Sequence, residues 1–145
     1  MEYYHLILEI QQHHLDLLKR ETKKVYPIEA CAILFGKYSK NKITIQSIKF
    51  APNRLQSTIK FEIDPTITVE AFSQAENEGL DFIGLFHSHP APSFPSEIDL
   101  KFMKLWEGSL WLILSTTEDT FGAYTLEDSK LEKIPVLTND SLISK

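Results

Sequence analysis

Residues Gly84–Asp99 read GLFHSHPAPSFPSEID. The mostly apolar run Leu80–Phe86 that enters this stretch predicts a buried strand ending at the histidines. Side chains alternate between the two faces of a strand. His87 and His89 therefore point the same way, with Cα atoms roughly 6.5–7 Å apart. Two imidazoles at that spacing can converge on one metal ion. Pro90, Pro92 and Pro95 make the next residues a stiff loop. Ser96 starts a helix carrying Leu100, Met103 and Leu105, which places Asp99 in its first turn. Two histidines and one aspartate around Zn²⁺ leave a fourth position for water, the layout of a catalytic zinc site rather than a structural one.

Working outward, Leu6–Ile10 reads as a short strand. Gln11 to about Lys24 reads as a helix, with Leu15, Leu17 and Leu18 together and Lys19, Arg20, Lys23 and Lys24 toward the end where cations suit the helix dipole. Pro27 stops it. Ala30–Phe35 is continuously apolar, as in a buried central strand, and Gly36 is expected to end that strand. Glu29 stands at its mouth. From this segment alone it reads as a surface residue at the strand edge, with a place in a cleft as the alternative. Ile43–Ile48 and Thr58–Ile63 read as further strands, the second by clean alternation. Asp64 before Pro65 predicts an N-cap and a helix to about Glu78, with Ile67, Ala71 and Ala75 at i+4 steps, Phe72 beside them and Gly79 as the stop. Leu110–Leu114 and Phe121–Tyr124 read as strands, and the tail from Leu131 as a short strand or helix that then frays. Strands and helices interleave without linker or repeat, which predicts one α/β (or α+β) domain over residues 1–145 around a mixed sheet.

Composition narrows the function classes. The 145 residues are 43% hydrophobic and 24% charged, as in a soluble globular domain. A net charge of -5 argues against a broad nucleic-acid footprint. No apolar run approaches the ~18 residues that span a bilayer. The N-terminus lacks a basic start with an apolar stretch and cleavage site, and Cys31 is the single cysteine. An intracellular, cytoplasmic protein is expected.

Each chemical feature also has a structural explanation. Histidines on a strand are more often satisfied by ordinary hydrogen bonds than by metal, and His13 and His14 read as exposed helix positions. Ser96-x-x-Asp99 is close to a capping box, although Glu or Gln is the usual fourth residue. The two readings are compatible, because the dipole at a helix N-terminus favours an anionic aspartate. Glu29 is a candidate base if its strand lies beside the histidine strand. Ser96 is a candidate donor to an oxyanion. Together these residues describe metal-assisted amide hydrolysis without a covalent intermediate, in which zinc lowers the pKa of water to about 7.

The pattern Glu29 … His87-Ser88-His89-Pro90 … Pro95-Ser96-x-x-Asp99 resembles the JAB1/MPN/Mov34 (JAMM) metalloproteases. Pro27-x-Glu29-x-Cys31-x-x-Leu34-x-Gly36, Phe61-x-Ile63-Asp64-Pro65 and Ile83-Gly84 follow the family's order, so the similarity spans about residues 5–125. The resemblance implies that His87, His89 and Asp99 bind zinc, that Glu29 is the general acid/base and that Ser96 donates to the oxyanion. It also implies a curved mixed sheet flanked by helices. The loop from Pro90 to Pro95 is one residue shorter than is common in the family, and Ala32 stands where many relatives have glycine.

Active members of the family mostly cut after the C-terminal Gly-Gly of a ubiquitin-like protein. A compact chain of prokaryotic type is expected to act on a ubiquitin-like modifier or a sulfur-carrier protein, whose tail would add as a strand at a sheet edge beside the zinc. Phe61, Phe86 and Phe94 are candidate contacts, with core packing the default for Phe86. The alternatives are a catalytically inactive scaffold of the same fold and a hydrolase with a different substrate, as in the RadC-type relatives.

Overall fold

The computed structural model describes residues 6–138. In chain order the elements are β1 (Ile7–Ile10), α1 (Gln12–Val25), β2 (Cys31–Ser39), β3 (Lys42–Ala51), α2 (Pro65–Asn77), β4 (Asp81–His89), α3 (Glu97–Leu105), β5 (Leu110–Ser115), β6 (Thr120–Glu127), β7 (Lys130–Ile134) and β8 (Val136–Thr138). The strands form one sheet in the order β7-β6-β5-β4-β2-β3-β1-β8. The sheet is mixed: β4 runs parallel to β5, and β1 runs parallel to both β3 and β8. β2 is antiparallel to both β3 and β4.

Apolar residues at alternate strand positions explain why both faces are covered. On one face Leu15 and Leu18 of α1 pack with Leu8, Ala32, Leu34 and Phe86. On the other, Ala71 and Ala75 of α2 pack on Ile33 and Phe35, and Met103 of α3 packs near Cys31, Trp111 and Ile113. Phe86 is fully buried in the α1 face, so core packing is its role. Full burial of a side chain of this size contributes about 1.5–3 kcal/mol relative to exposure. The parallel β4–β5 pair requires a crossover connection, and α3 is that crossover. This topology returns the chain from the histidines at the end of β4 across the site face before β5 begins.

Helix ends follow the local chemistry. Asp64 Oδ1 accepts from the Thr66 N–H at 2.8 Å with Pro65 in the first turn, as expected. Gly79 takes a positive φ of 73° after α2. Ser96 and Asp99 form a complete capping box at the start of α3.

Two local expectations are corrected, the end of β2 at Gly36 and the strand over Thr58–Ile63. β2 does not end at Gly36 but runs to Ser39, with the register shifting between Phe35 and Gly36. A Cβ at Gly36 would lie 1.8 Å from the Thr44 carbonyl oxygen, so this glycine lets β3 pass closely rather than stopping the strand. Thr58–Ile63 is not a strand. Phe61 is buried between exposed Lys60 and Glu62, but Ile59, in phase with it, is exposed, and the Asn53 side chain occupies backbone groups on both sides of Phe61. Leu105 is exposed at the end of α3. The tail from Leu131 belongs to strands, since β7 starts at Lys130 and β8 follows. The fraying expected beyond them falls on residues 139–145, outside the described residues. Among the described residues, no helix is long and apolar enough to cross a membrane.

Candidate metal centre

His87 and His89 occupy the last turn of the strand alternation in β4, and both are buried. Their rings lie 5.4 Å apart, centroid to centroid. The crossover brings Asp99 to them. Asp99 Oδ2 lies 3.1 Å from His87 Nε2. One ligand atom from each of His87, His89 and Asp99 lies within 4.8 Å of the others. The capping-box reading of Ser96-x-x-Asp99 is realised in full. Asp99 Oδ2 accepts the Ser96 N–H at 3.0 Å, and Ser96 Oγ accepts the Asp99 N–H at 3.1 Å. The cap therefore fixes the carboxylate that faces His87.

Glu29 corrects the reading from its own segment, because it is buried rather than a surface residue. β2 lies beside β4, with Cys31 opposite His87. Paired residues share a face, so continuing the alternation two residues back puts Glu29 on the face of His87 and His89. Burial pushes the Glu29 carboxyl up to about 7, with His87 opposing and the Asp99 charge adding to the rise. Burial would also raise Asp99, but hydrogen bonds from His87 and Ser96 outweigh it and hold that carboxyl below the ordinary range. His89 is lowered by burial and by His87.

Whether these residues fit a metal ion is tested by their unpaired atoms. Glu29 Oε1, His87 Nδ1 and both ring nitrogens of His89 are buried without a hydrogen-bond partner among the described residues. Buried polar atoms rarely stay unpaired. A divalent cation would satisfy the imidazoles, and two nitrogens with one carboxylate oxygen are an ordinary donor set for zinc. Ser96 is exposed, and because its oxygen accepts from Asp99, its own proton remains available to another acceptor.

The structure thus brings Glu29, His87, His89, Ser96 and Asp99 to one face. His13 and His14 stay apart on α1. His14 is half-buried rather than exposed, and burial with its neighbour His13 lowers its pKa. Phe61, a candidate substrate contact from the sequence, and two residues given no role there, Ser88 and Trp111, also shape the site. Phe61 stacks on His87 at 4.8 Å, and Trp111 meets the same ring edge-on at 5.6 Å. Ser88 Oγ accepts the Ala30 N–H at 2.9 Å and so ties β4 to the residue after Glu29. The alternation around residue 61 was the available signal for Phe61; Trp111 carried none beyond an apolar strand. The short proline loop lies against β6: Tyr124 Oη donates to the Ser93 carbonyl at 2.7 Å, and Phe94 meets the Tyr124 ring edge-on at 5.7 Å. Gly122 permits this approach, since a Cβ there would lie 2.3 Å from the Ser93 oxygen.

The sequence matches the family of prokaryotic homologs of the JAB domain over residues 11–127. The chain belongs to this family. It is similar to the desampylase of Pyrococcus furiosus, with 34% identity over 131 residues that cover 90% of this chain and 89% of that one. It is also similar to the desampylase of Haloferax volcanii, with 30% identity over 94 residues, 61% of this chain and 63% of that one. A solution structure of a Salinibacter ruber protein superposes with a TM-score of 0.70 at 26% identity, covering 91% and 92% of the two chains. One from Desulfitobacterium hafniense reaches 0.84 at 20% identity, covering 92% and 93%, and shows likeness of fold alone. The expected curved mixed sheet flanked by helices is the fold of this prokaryotic JAB domain.

Beside the centre lies an apolar cleft of about 250 Å³ between α2 and α3. Phe61, Phe72, Phe82, Phe102, Trp106 and Trp111 line it. Phe61 and Trp111 are thus shared between the cleft and the ring of His87.

Proposed function

We propose that this prokaryotic JAB protein is a zinc-dependent isopeptidase or endopeptidase that cuts the amide bond after the C-terminal Gly-Gly of a ubiquitin-like modifier or sulfur-carrier protein. The observation that carries the reading is the buried His87–His89–Asp99 group with Glu29 on the same face. The name desampylase, borne by two relatives, points to removal of a conjugated group, and that activity is carried over here as part of the proposal.

His87, His89 and Asp99 would hold the zinc ion, which when bound polarises a carbonyl and lowers the pKa of water toward about 7. Glu29, whose carboxyl is pushed to about 7, is matched to accept a proton from the attacking water near neutral pH and to pass it to the leaving amine. Water adds to the carbonyl, the C–N bond breaks, and the products are a carboxylic acid and an amine. Ser96 donates its free hydroxyl proton to the oxyanion formed at the attacked carbonyl. The Asp99–Ser96 cap keeps donor and ligand in fixed register.

The expected way for the substrate tail to enter needs revision. β4 is flanked by β2 and β5 inside the sheet, and its edges, β7 and β8, are remote from the histidines. An added strand at a sheet edge beside the zinc therefore has no place. The segment around Phe61, which stacks on His87, lines the path of the tail instead, while the apolar cleft takes apolar side chains of the modifier.

The test is cleavage of a panel of Gly-Gly-linked ubiquitin-like fusions by the zinc-loaded protein. Activity is expected to vanish with a chelator, and Glu29→Gln is expected to lower kcat by about 10²–10⁴-fold while zinc stays bound. Full activity of Glu29→Gln would overturn the assigned mechanism.

A further inference from the structure

Asn53 lies outside the metal group and outside every recognised motif, yet it is buried and its side chain makes five hydrogen bonds. The two protons of Nδ2 serve three carbonyls, those of Glu29 at 3.1 Å, Ser57 at 3.3 Å and Lys60 at 2.9 Å, so one proton is shared between two of them. Oδ1 accepts the N–H groups of Leu55 at 3.1 Å and Glu62 at 3.3 Å.

The position of Glu29 makes this arrangement consequential. The β2–β3 ladder begins at Cys31 opposite Ala51, so it does not reach the Glu29 peptide. Both backbone polar groups of Glu29 are held by the 53–57 loop instead. Its N–H donates to the Ser57 carbonyl at 2.9 Å, and its carbonyl accepts from Asn53. Asn53 in turn closes that loop through Ser57 and Leu55. It also grips Lys60 and Glu62, the residues on either side of Phe61. The Phe61 ring stacks on His87. A single amide therefore links the backbone of the candidate base to the aromatic wall of the metal centre.

We infer that Asn53 is a positioning residue that fixes Glu29 and Phe61 relative to His87. It acts through these neighbours and touches neither metal nor substrate. Hydrogen-bond geometry favours asparagine, because one side must donate to carbonyls and the other accept from N–H groups. Aspartate keeps the accepting side and loses the donating one. The kinetic consequence rests on the proposed function; the ordering of Glu29 does not.

The first test needs no variant. In the zinc-loaded wild-type protein, the Asn53 side-chain amide protons and the Glu29 N–H are expected to exchange with solvent at least about tenfold more slowly than in the unfolded chain. Exchange at the unfolded rate would overturn the inference. The second test compares Asn53→Ala and Asn53→Asp with wild type. Exchange at Glu29 is expected to rise about tenfold in both, with the β5 amides unchanged. Against a cleaved conjugate, kcat is expected to fall about 10–100-fold, with KM and zinc stoichiometry retained. Unchanged kcat, or a joint loss of zinc, KM and β5 protection, would reduce Asn53 to a structural residue or none. If neither variant folds, the wild-type exchange decides. If the wild-type protein cleaves no conjugate, the proposed function fails and the exchange of Glu29 alone decides this inference.

Discussion

At the residue scale, burial separates the roles of two neighbouring titratable groups. Glu29 and Cys31 lie two residues apart at the start of β2 on the same face, and burial raises both. Glu29 reaches about 7, within the range where it can exchange protons at neutral pH. The Cys31 thiol is pushed up to about 12, with the Glu29 charge adding to burial. Only a thiolate is an effective nucleophile, so Cys31 is inert near neutral pH. Iodoacetamide at pH 8 is expected to leave Cys31 unmodified in the folded protein and to label it once urea unfolds the chain, as read by mass spectrometry. The linkage has a definite sign. The folded pKa exceeds the unfolded value of 9.0, so the contribution is complete below pH 9 and is lost as pH rises toward 12. Stability of wild type should therefore fall more steeply above pH 9 than that of Cys31→Ala, measured by denaturant titration. Equal slopes would mean that the thiol is not protected by burial.

At the element scale, the start of α3 serves structure and chemistry with the same atoms. Ser96 caps the helix, and the reciprocal bond from its N–H to Asp99 orients a candidate metal ligand. The two contributions are separable because glycine is tolerated at an N-cap far better than alanine. Ser96→Ala is expected to cost about 1 kcal/mol of stability, and Ser96→Gly only a few tenths. Both remove the hydroxyl, so both should lower kcat similarly, by about 10²–10³-fold if Ser96 donates to the oxyanion. Thermal denaturation and steady-state kinetics on the pair decide between the roles. A kcat that follows stability, low for alanine and normal for glycine, would leave Ser96 as a cap only. The β4–α3–β5 crossover has the same double character, since it makes the parallel pair feasible and carries Asp99 back to β4.

At the scale of the whole molecule, the metal group is an unusual expense for a domain of this size. Several buried polar atoms have no partner among the described residues. A ligand that binds only the folded state stabilises it, by about 2.7 kcal/mol at a hundredfold excess over its Kd. Calorimetry is therefore expected to show a lower Tm after chelation, by several degrees, with recovery on adding one equivalent of zinc. A protein whose Tm and metal content ignore the chelator would fit the scaffold reading instead. The cleft between α2 and α3 supplies the second molecular-scale expectation. Phe72 and Phe102 line it and are partly exposed, at 36% and 43%. Phe72→Glu or Phe102→Glu should raise KM for a modifier conjugate about tenfold or more and leave hydrolysis of a small amide unchanged. An unaltered KM in both variants would remove the cleft from substrate binding.

Much of this protein was legible in its sequence because local rules govern the parts concerned. Period-2 alternation placed His87 and His89 on one side of a strand, Asp64-Pro65 announced α2, and Ser96-x-x-Asp99 announced the cap of α3. The motif order fixed the family and hence the sheet with its helices. What the chain could not reveal locally depends on partners distant in sequence. Glu29 reads as a strand-edge carboxylate until β2 is set beside β4, and that pairing buries it on the face of His87 and His89. Thr58–Ile63 has the pattern of a strand, but of its in-phase apolar residues Phe61 is buried and Ile59 exposed, and the pattern does not say which backbone groups are paired. Asn53 claims the groups around Phe61, so the segment becomes the wall of the site rather than part of the sheet. The sequence by itself determined the family and the histidines and aspartate that meet at the site. The tertiary structure decided their electrostatics and their supports, because burial and long-range hydrogen bonds exist only once the sheet is assembled.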